Sequence, residues 1–451
     1  MFGIWGLPEA STLTYLGLYA LQHRGQEAAG IVSSDGRKLF RHAGRGLVSD
    51  VFRDRRTFES LPGMSAIGHN RYSTTGSSTE VNVQPLLVID RTGPIAIAHN
   101  GNLVNFRGLR SFLEEEGSIF RTSSDSELIL QLFARSYGSN LAGRLIEAVK
   151  MIEGAYSLTI LTRNQLVAIR DPFGFRPLCL GRKADGFVVA SESCAFDLLG
   201  ASYIRDVEPG EMLIIDEKGL HSSRFADSNR RAYCIFEFVY FSRPDSRVFG
   251  DNVDKTRRRL GHLLAEGHPV DGADFVISVP DSSNTAALGY AHRGGLDFEI
   301  GLIRNHYVGR TFIEPEQPMR DFGVKLKFNA VAGVLRDKRV VLVDDSIVRG
   351  TTLKKLVGLI RRAGAKEVHV RISSPPIQNP CYYGMDFPTK DELAASRKTI
   401  EQIEDFIQAD SLEYLTPGEL LSAVPHDNGQ EYCTACFTGD YPIPVDDDER
   451  T

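Results

Sequence analysis

Hydrophobic and polar positions follow different periods in the two halves of the chain. In the first half, short β-branched and aliphatic runs predict strands at residues 28–33, 66–72, 95–99, 156–161, 166–169, 186–191 and 211–215. Helical periodicity appears near residues 12–23, 126–136 and 140–152. Because these strands follow one another with few crossover helices, we expect antiparallel sheets in an α+β layer architecture.

From Asp274 onward, predicted strands and helices alternate, which is typical of an α/β domain with a parallel sheet. ADFVISVP is a predicted strand that runs into Asp281-Ser282-Ser283, a segment able to cap a helix. FEIGLI is a further predicted strand, and the polar run FADSNRRA is a predicted linker. We therefore divide the chain into residues 1–230 and 231–451, and we expect disorder in the acidic tail.

The stretch RVVLVDDSIVRGTTLKK, residues 339–355, opens a predicted βαβ unit. Residues 340–343 have the composition of a strand buried on both faces of a parallel sheet. The carboxylates of Asp344 and Asp345 follow, then a turn rich in hydroxyls and glycine, then apolar residues at helical spacing. In residues 368–372, apolar and polar side chains alternate, which predicts the next strand. The first strand of the unit thus ends in acidic, hydroxyl and glycine residues.

This order of residue types suits a sugar phosphate. In open α/β sheets, ligands bind beyond the carboxyl ends of the strands, and a turn that opens a helix presents N–H groups to an anion. Carboxylates accept hydrogen bonds from ribose hydroxyls and bind Mg²⁺. An isolated Asp-Asp pair is more often a solvated turn, but this context favours binding. The stretch resembles the phosphoribosyl-pyrophosphate (PRPP) motif of type I phosphoribosyltransferases and lacks the Gly-Lys-Ser/Thr of a Walker A loop.

Composition narrows the class of protein. The chain has 451 residues, 42% of them hydrophobic and 24% charged, with a net charge of −6, as in an ordinary globular protein without general nucleic-acid affinity. No apolar run approaches the roughly 20 residues of a membrane span, and the N-terminus lacks a signal pattern. We therefore expect a cytoplasmic protein. Six cysteines are few for a disulfide framework.

The first half contains five phrases that occur in the same order in one enzyme family. They are FGIWGLPEA, LQHRGQEAAGI, IGHNRYSTTG, AHNGNLVN and TSSDSE. Together with the PRPP motif, they make the chain resemble the glutamine PRPP amidotransferases over nearly its whole length. The resemblance implies an N-terminal-nucleophile glutaminase, a four-layer αββα sandwich, which passes ammonia to a type I phosphoribosyltransferase domain.

Four residues of the first half suit the family's glutamine site. Arg71 offers a planar fork of donors to the α-carboxylate of glutamine, and Asp125 is an acidic partner for its α-amino group. Asn100 and the backbone N–H of Gly101 resemble the family's oxyanion hole. The structural alternative is a buried arginine salt bridge beside an Asn-Gly hairpin turn.

The sequence departs from the family at its start. Mature family enzymes begin with a cysteine whose own α-amine serves as base, two residues ahead of the position of Met1. Here the sequence reads Met1-Phe2-Gly3-Ile4 and has no thiol before Cys179. Either Met1 is a miscalled start, or the glutaminase site is inactive and the enzyme uses free ammonia. We favour the miscalled start because the other site residues are present, and a mass spectrum of the native protein tests it.

The resemblance also implies roles in the second half. Ammonia would displace pyrophosphate from PRPP to give 5-phosphoribosylamine, the first committed step of purine biosynthesis. Asp344 and Asp345 would contact the ribose and, with Ser282, Mg²⁺. The residues assigned to PRPP binding are Asp344, Asp345, Ser346, Ile347, Val348, Arg349, Gly350, Thr351, Thr352, Arg310 and Lys327. Residues 305–312 resemble a flexible loop that closes over PRPP, although the family often has a basic residue in place of His306.

Four cysteines form a further candidate site. Cys433-Thr-Ala-Cys436 has ligand spacing, whereas Cys234 and Cys381 are isolated. Spacing alone fits zinc as well as an iron–sulfur cluster, and buried free thiols are the structural alternative. The surrounding phrases RAYCIFEF, NPCYYG and CTACFTGDYP resemble the subgroup of the family that holds a [4Fe–4S] cluster. That resemblance implies a structural cluster on all four thiolates.

Two alternative functions compete with this interpretation. A PRPP-binding regulator without catalysis would carry a DNA-binding module. The net charge of −6 argues against such a module. A glucosamine-phosphate synthase would share the first half, but its sugar-isomerase half is excluded by VVLVDDSIVRGTT. Feedback inhibition by purine nucleotides and assembly as a homotetramer are implied by the family alone. No nucleic-acid or membrane partner is expected.

Overall fold

Two antiparallel sheets form the centre of the first half in the computed structural model, which describes residues 1–72, 79–227, 230–305, 327–425 and 430–445. Strands β1 to β13 are, in order, Phe2–Trp5, Ala28–Ser34, Leu39–Arg45, Ser65–Arg71, Leu86–Asp90, Gly93–Leu103, Gly154–Thr162, Leu166–Arg170, Cys179–Lys183, Gly186–Ala190, Ser202–Asp206, Glu211–Asp216 and Gly219–Arg224. The strand orders are β11-β9-β10-β1-β4-β2-β3 and β13-β12-β8-β7-β6-β5. All neighbouring pairs are antiparallel.

Helices cover the outer face of each sheet. Helices α1 to α7 are Ala10–Ala20, Val48–Val51, Arg55–Glu59, Phe106–Glu115, Asp125–Arg135, Leu141–Val149 and Cys194–Leu199. Apolar side chains of α1 and α7 pack against the first sheet, and those of α4, α5 and α6 pack against the second. A third apolar cluster, which includes Ile67 and Ala168, lies between the two sheets. The first half is therefore the expected αββα sandwich.

The second half contains a parallel sheet. Strands β14 to β24 are Tyr233–Cys234, Arg247–Val248, Asp251–Asn252, Phe275–Ser278, Asp297–Phe298, Leu302–Arg304, Phe328–Ala330, Arg339–Asp344, Glu367–Ile372, Ser411–Tyr414 and Tyr432–Cys433. Helices α8 to α15 are Val253–Gly267, Asn284–Gly294, Ala332–Leu335, Thr351–Arg362, Ala394–Arg397, Ile400–Ile407, Pro417–Ser422 and Ala435–Thr438. Five strands pair in the order β18-β17-β21-β22-β23, all parallel.

Both faces of this parallel sheet are covered, as the apolar composition of residues 340–343 predicts. Val341 and Val343 belong to the core cluster that contains α8 and α9. Val340 and Leu342 belong to the cluster on the opposite face, with the helices Thr351–Arg362 and Ile400–Ile407. Because a fully buried strand ends here in two aspartates, their carboxyl groups lie where the sheet's carboxyl edge meets solvent.

Two local predictions in the second half were wrong. FEIGLI is not one strand, because Phe298 ends β18 and Leu302 begins the separate hairpin β19–β20. Residues 281–283 do precede a helix, but the N-cap residue Ser283 makes no side-chain capping bond. Its hydroxyl donates instead to Asp344 Oδ1 at 3.0 Å. A residue expected to cap a helix therefore binds the carboxylate at the end of the neighbouring strand.

Several strands of the first half were not predicted. They are β1, β3, β5, β9, β11 and β13, and four of them, β3, β5, β11 and β13, are largely half-buried or exposed. Such strands lack a continuous apolar face, so their sequence pattern is weak. Part of the predicted linker, the predicted 305–312 loop apart from Asn305, and the tail at 446–450 lie outside the described residues. No helix in the described part of the chain is long and apolar enough to cross a membrane.

Residues 237–241 form a single turn of π-helix at the start of the second half. Its five residues are Glu237, Phe238, Val239, Tyr240 and Phe241. Phe241 lines a cavity in the first half, whereas Tyr240 lines a cavity at the tip of the parallel sheet. This short element therefore stands between the two candidate sites.

Candidate active site

The first cavity brings together all four residues predicted to bind glutamine. Arg71 ends β4, Asn100 and Gly101 lie in β6, and Asp125 begins α5. Other lining residues come from both halves and include Met1, Arg24, His69, Tyr72, Gln84, His99, Ser124, Phe241 and Gly384. The two sheets meet at this cavity, so residues from adjacent strands and from α5 converge on it.

Asp125 is held at its position by two residues of β6. Its Oδ1 lies 3.4 Å from His99 Nδ1, and its Oδ2 accepts a hydrogen bond from Leu103 N at 3.3 Å. Burial raises the pKa of Asp125, but His99 and the hydrogen bonds outweigh it and lower the pKa overall. Burial lowers the pKa of His99, but the Asp125 carboxylate outweighs it and raises the pKa overall. The carboxylate is thus kept ionised, as recognition of an ammonium group requires.

Arg71 and Asn100 complete the polar wall of this cavity. Arg71 is buried, and its Nη1 donates to the carbonyl of Asn82 at 2.7 Å. Asn100 Nδ2 lies 3.4 Å from Ser191 Oγ. Gly101 has a φ of +149°, and a Cβ at this position would lie 1.9 Å from the carbonyl oxygen of Ala155. Only glycine fits there, so the peptide of Gly101 can face the cavity without a side chain.

Arg24 is a residue of this site that sequence reasoning missed. Its buried guanidinium donates to Glu192 Oε1 at 2.5 Å and forms two hydrogen bonds with Glu237. Arg176 Nη2 lies 2.9 Å from the same Glu237 carboxylate. The guanidinium groups of Arg24 and Arg176 lie 4.5 and 5.0 Å from the centroid of the Phe241 ring. The phrase LQHRG contains Arg24, but nothing in its local pattern points to partners so far along the chain.

Residue 1 also lines this cavity. The amine of Met1 donates to Ser191 Oγ at 3.0 Å, and β1 pairs with β4 and β10. The thiols of Cys179 and Cys194 are buried in the apolar cluster under α1 and α7 and are not among the lining residues. Burial raises the pKa of both thiols. Neither has the exposure and low pKa of a nucleophilic cysteine.

The second cavity, of about 420 Å³, lies at the tips of β17 and β21. Its lining contains ten of the residues predicted for PRPP, namely Asp344, Asp345, Ser346, Ile347, Val348, Arg349, Gly350, Thr351, Thr352 and Lys327, together with Ser282. Arg310 lies outside the described residues. The helix Thr351–Arg362 begins at this cavity, so its first N–H groups are available to an anion.

The two aspartates at this strand tip are surrounded by hydroxyl groups. Ser283 Oγ donates to Asp344 Oδ1, and Ser346 Oγ donates to Asp345 Oδ1 at 2.6 Å. Burial, followed by repulsion from Asp345, raises the pKa of Asp344 well above its usual range. Burial likewise raises the pKa of Asp345, against hydrogen bonds from Ser282, Ser346 and Ser283. Two confined carboxylates with hydroxyl neighbours are the oxygen donor set that Mg²⁺ prefers, so the residues fit that ion.

The four predicted cluster cysteines are brought to one place. Cys234 pairs in register with Cys433 where β14 and β24 run parallel, and Cys436 follows in the helix Ala435–Thr438. Cys381 packs in an apolar cluster with Cys433. Burial raises the pKa of all four thiols, and that of Cys436 is raised further by Cys433, Cys381 and Cys234.

Within the described ranges, no three His, Cys, Asp or Glu side chains are arranged to hold a single metal ion. A four-iron cluster binds each thiolate through a different iron atom and so uses thiols spaced more widely than one ion does. Cys381 and Cys433 belong to one apolar cluster, and Cys234, Cys381 and Cys436 belong to a second. The four free thiols offer the donor set of such a cluster. The residues present therefore fit the cluster by donor type.

Two family profiles match the chain. The glutamine amidotransferase domain matches residues 69–197, and the phosphoribosyl transferase domain matches residues 311–383. The first range contains Arg71, Asn100, Gly101 and Asp125, and the second contains the aspartate pair. Each profile thus covers part of the lining of one cavity.

Full-length relatives include an amidophosphoribosyltransferase of Bacillus subtilis, 50% identical over 449 residues that cover 99% of this chain and 94% of the relative. Amidophosphoribosyltransferase 1, chloroplastic, of Arabidopsis thaliana is 54% identical over 443 residues, 98% of this chain and 78% of the relative. The amidophosphoribosyltransferase of Archaeoglobus fulgidus is 50% identical over 445 residues, 98% and 96% of the two chains. These relatives are enzymes by name and give no support to the regulatory alternative.

A solved structure extends the likeness to the fold. The glutamine PRPP amidotransferase of B. subtilis complexed with ADP and GMP superposes with a TM-score of 0.93 at 50% identity, covering 99% of this chain and 98% of that chain. A second, described as the allosteric regulatory enzyme of purine biosynthesis, superposes with a TM-score of 0.94 at 50% identity, covering 99% and 97%. With a common fold and relatives at least 50% identical over nearly its full length, this chain belongs to the amidophosphoribosyltransferase family.

Proposed function

We propose that this enzyme forms 5-phosphoribosylamine from PRPP and ammonia in the cavity at the tip of β21, the first committed step of purine biosynthesis. The observation that carries the proposal is the pair of half-buried Asp344 and buried Asp345 beside a helix-opening turn of hydroxyls and N–H groups. Such a cavity offers acceptors to a ribose diol at one side and donors to a phosphate at the other. Substrates with both groups in that order are phosphorylated pentoses.

In the proposed reaction, the lone pair of ammonia forms a bond to C1 of the ribose. The bond from C1 to the pyrophosphate oxygen breaks, and its electron pair leaves with pyrophosphate, while the new amine loses one proton. The ring gains oxocarbenium character on the way. Residues 346–352 bind the 5-phosphate, and the aspartate pair orients the ribose, so the contribution of the chain is positioning and exclusion of water.

Mg²⁺ would be held by Asp344, Asp345 and Ser282 and would neutralise charge on the leaving pyrophosphate. Around that site the chain contributes fixed hydroxyl groups. Ser346 Oγ donates to Asp345 Oδ1, and Ser283 Oγ lies 3.0 Å from Asp344 Oδ1 and 3.4 Å from Asp345 Oδ2, so these hydroxyls hold both carboxylates in place. Lys327, which lines the same cavity, supplies a positive charge for phosphate oxygens.

The first cavity is proposed to hydrolyse glutamine and supply the ammonia. Arg71 and Asp125 would bind the α-carboxylate and α-amino groups, and Asn100 with Gly101 N–H would stabilise the oxyanion. Hydrolysis in this cavity requires a thiol nucleophile, which the family places two residues ahead of the position of Met1. We therefore propose that a chain with Cys-Gly ahead of residue 1 uses glutamine, whereas a chain that starts at Met1 uses ammonia.

The test is PRPP-dependent release of pyrophosphate, measured with ammonia and then with glutamine, on chains with both starts. We expect both chains to react with ammonia and only the chain that carries Cys-Gly to react with glutamine. Absence of ammonia-dependent release from both chains would refute the synthetase proposal. Glutamine-dependent release from the chain that starts at Met1 would refute the proposed nucleophile.

We further propose that Cys234, Cys381, Cys433 and Cys436 bind a [4Fe–4S] cluster with a structural role. The pairing of Cys234 with Cys433, and the effect of Cys433, Cys381 and Cys234 in raising the pKa of Cys436, support this assignment over separate free thiols. Protein purified without oxygen should contain about four iron and four sulfide per chain. A content of one zinc per chain, or of no metal, would contradict the cluster.

Purine nucleotides are proposed as inhibitors, and a homotetramer is proposed as the assembly. The support for the nucleotides is the B. subtilis relative, whose structure is complexed with ADP and GMP, whereas the tetramer follows from the family resemblance alone. Ammonia-dependent pyrophosphate release should fall when GMP or ADP is added, and light scattering should give four times the mass of one chain. An unchanged rate at saturating nucleotide, or the mass of one chain, would contradict the respective proposal.

A further inference from the structure

The oxyanion strand of the first cavity is in direct contact with a loop from the second half of the chain. A Cβ added to Gly384 would lie 3.0 Å from both the Cα and the carbonyl carbon of Gly101. Such a distance is tighter than almost all real Cβ contacts, so the backbones of the two glycines already touch. Gly384 also lines the cavity itself.

A second contact joins the same two segments. Asn102, the residue after Gly101, donates from its Nδ2 to the carbonyl of Tyr382 at 3.0 Å. The loop therefore holds the oxyanion strand by a hydrogen bond at one point and by close packing at the next. Two adjacent contacts define both the position and the rotation of the Gly101 peptide.

The loop is itself fixed from behind. The ring of Tyr383 stacks on Phe175, with ring centroids 4.3 Å apart. Its hydroxyl donates to the carbonyl of Ile443 at 2.7 Å and accepts from Ile443 N at 3.0 Å. Cys381 opens the loop, and its sulfur accepts from Tyr383 N at 3.3 Å. Because Tyr383 is buried and its hydroxyl makes two hydrogen bonds, the loop is a rigid support for the contact next to it.

We infer that Gly384 is a positioning residue for glutamine hydrolysis. Because Gly384 has no side chain, the 381–384 loop can pack directly against the Gly101 backbone and fix the position of the oxyanion hole. This inference rests on the proposed glutaminase function of the first cavity. It assigns part of that function to a residue of the second half, far from the glutamine-binding residues in sequence. A shift of the Gly101 peptide by about 1 Å would cost about 100-fold in rate.

The test compares Gly384→Ala with Gly439→Ala. Both glycines have a positive φ, +99° and +82°, so both substitutions strain the backbone in a similar way. A Cβ at Gly439, however, would meet only the Asn379 side chain, at ordinary contact distances of 3.5 Å or more. The difference between the two variants therefore isolates the contact with Gly101.

On the chain with Cys-Gly ahead of residue 1, the ratio of glutamine-dependent to ammonia-dependent rate should fall about 100-fold in G384A and stay unchanged in G439A. The loss should appear in kcat for glutamine rather than in KM, because an oxyanion hole acts on charge that develops in the transition state. Asn102→Ala should lower the same ratio to a smaller extent. An unchanged ratio in G384A would overturn the inference.

Hydrogen exchange tests the contact without any nucleophile. On the chain that starts at Met1, G384A should speed amide exchange several-fold in peptides covering residues 100–103, and G439A should not. If the wild-type chain with Cys-Gly fails to use glutamine, the proposed function fails, and exchange still tests the contact. If the wild type uses glutamine and G384A leaves the ratio unchanged, the positioning role is wrong and the proposed function stands.

Discussion

Arg24 and Glu237 form a two-point salt bridge inside the protein, with Nη1–Oε2 and Nη2–Oε1 distances of 3.0 and 2.9 Å. The arginine lines the first cavity, and the glutamate belongs to the π-helical turn that also supplies Tyr240 to the second cavity. Arg176 and Ser242 complete the surroundings of the glutamate. A buried ionic group therefore joins the sandwich to the element between the two sites.

Replacing Glu237 with Gln should destabilise the protein by about 3 kcal/mol, because the buried Arg176 loses its carboxylate partner and the buried Arg24 keeps only Glu192. Urea unfolding, monitored by the fluorescence of Trp5, the single tryptophan, measures the change in the first half. Asp391→Asn is the matched control, since it removes an exposed ion pair with Arg397 and should have a much smaller effect. Equal changes in the free energy of unfolding for the two substitutions would show that the buried ion pair does not stabilise the protein.

The His99–Asp125 pair should make stability depend on pH. The pKa of His99 is raised above 6.5 in the folded protein, so the protonated histidine stabilises the fold below that pH. This contribution is lost as pH rises through the raised pKa. The free energy of unfolding of the wild type relative to His99→Gln should therefore be largest at about pH 5 and shrink toward about pH 9. A difference that grows with pH would contradict the assignment.

Asp344→Asn should lower kcat/KM for PRPP, with ammonia as the second substrate, by about 100-fold or more, equivalent to about 2.7 kcal/mol. The same substitution should leave stability at neutral pH unchanged or raise it, because burial and Asp345 disfavour the charged form of Asp344. Thermal unfolding measures this second effect. A variant with lost activity and clearly lower stability would indicate a structural role instead.

The control for this prediction is Asp274→Asn. Asp274 Oδ2 accepts a hydrogen bond from Arg339 N at 2.8 Å at the amino end of β21, the opposite end from the cavity. Its loss should leave kcat/KM for PRPP unchanged. A matching loss of activity in both variants would mean that the sheet as a whole, rather than its tip, determines the rate.

Cys436→Ser should abolish iron binding and lower the thermal stability of protein purified without oxygen. Cys194→Ser should leave the iron content unchanged, because that thiol lies in the apolar cluster beneath α7, away from the four grouped cysteines. Both thiols are buried, so the comparison separates metal binding from packing. Iron retained at the wild-type level in the Cys436 variant would exclude that residue as a ligand.

Local pattern was sufficient for much of the fold. Residues 340–343 predicted a doubly covered strand, and β21 spans Arg339–Asp344 with cores on both faces. The seven strands and three helices predicted for the first half are all present within a few residues of their predicted bounds. Edge strands such as β3 and β13 were missed, since exposed strands carry little periodic signal.

The sequence by itself determined which residues carry donors, acceptors and charge, and at which strand end or turn each one lies, because these properties depend on neighbours a few positions away. It placed Asp344 and Asp345 at a strand tip and Asn100 beside Gly101. Only the tertiary structure decided that Glu237 holds Arg24 and that Gly384 touches Gly101. Those contacts join residues more than two hundred positions apart, and they exist because the packing of two separate cores brings their surfaces together.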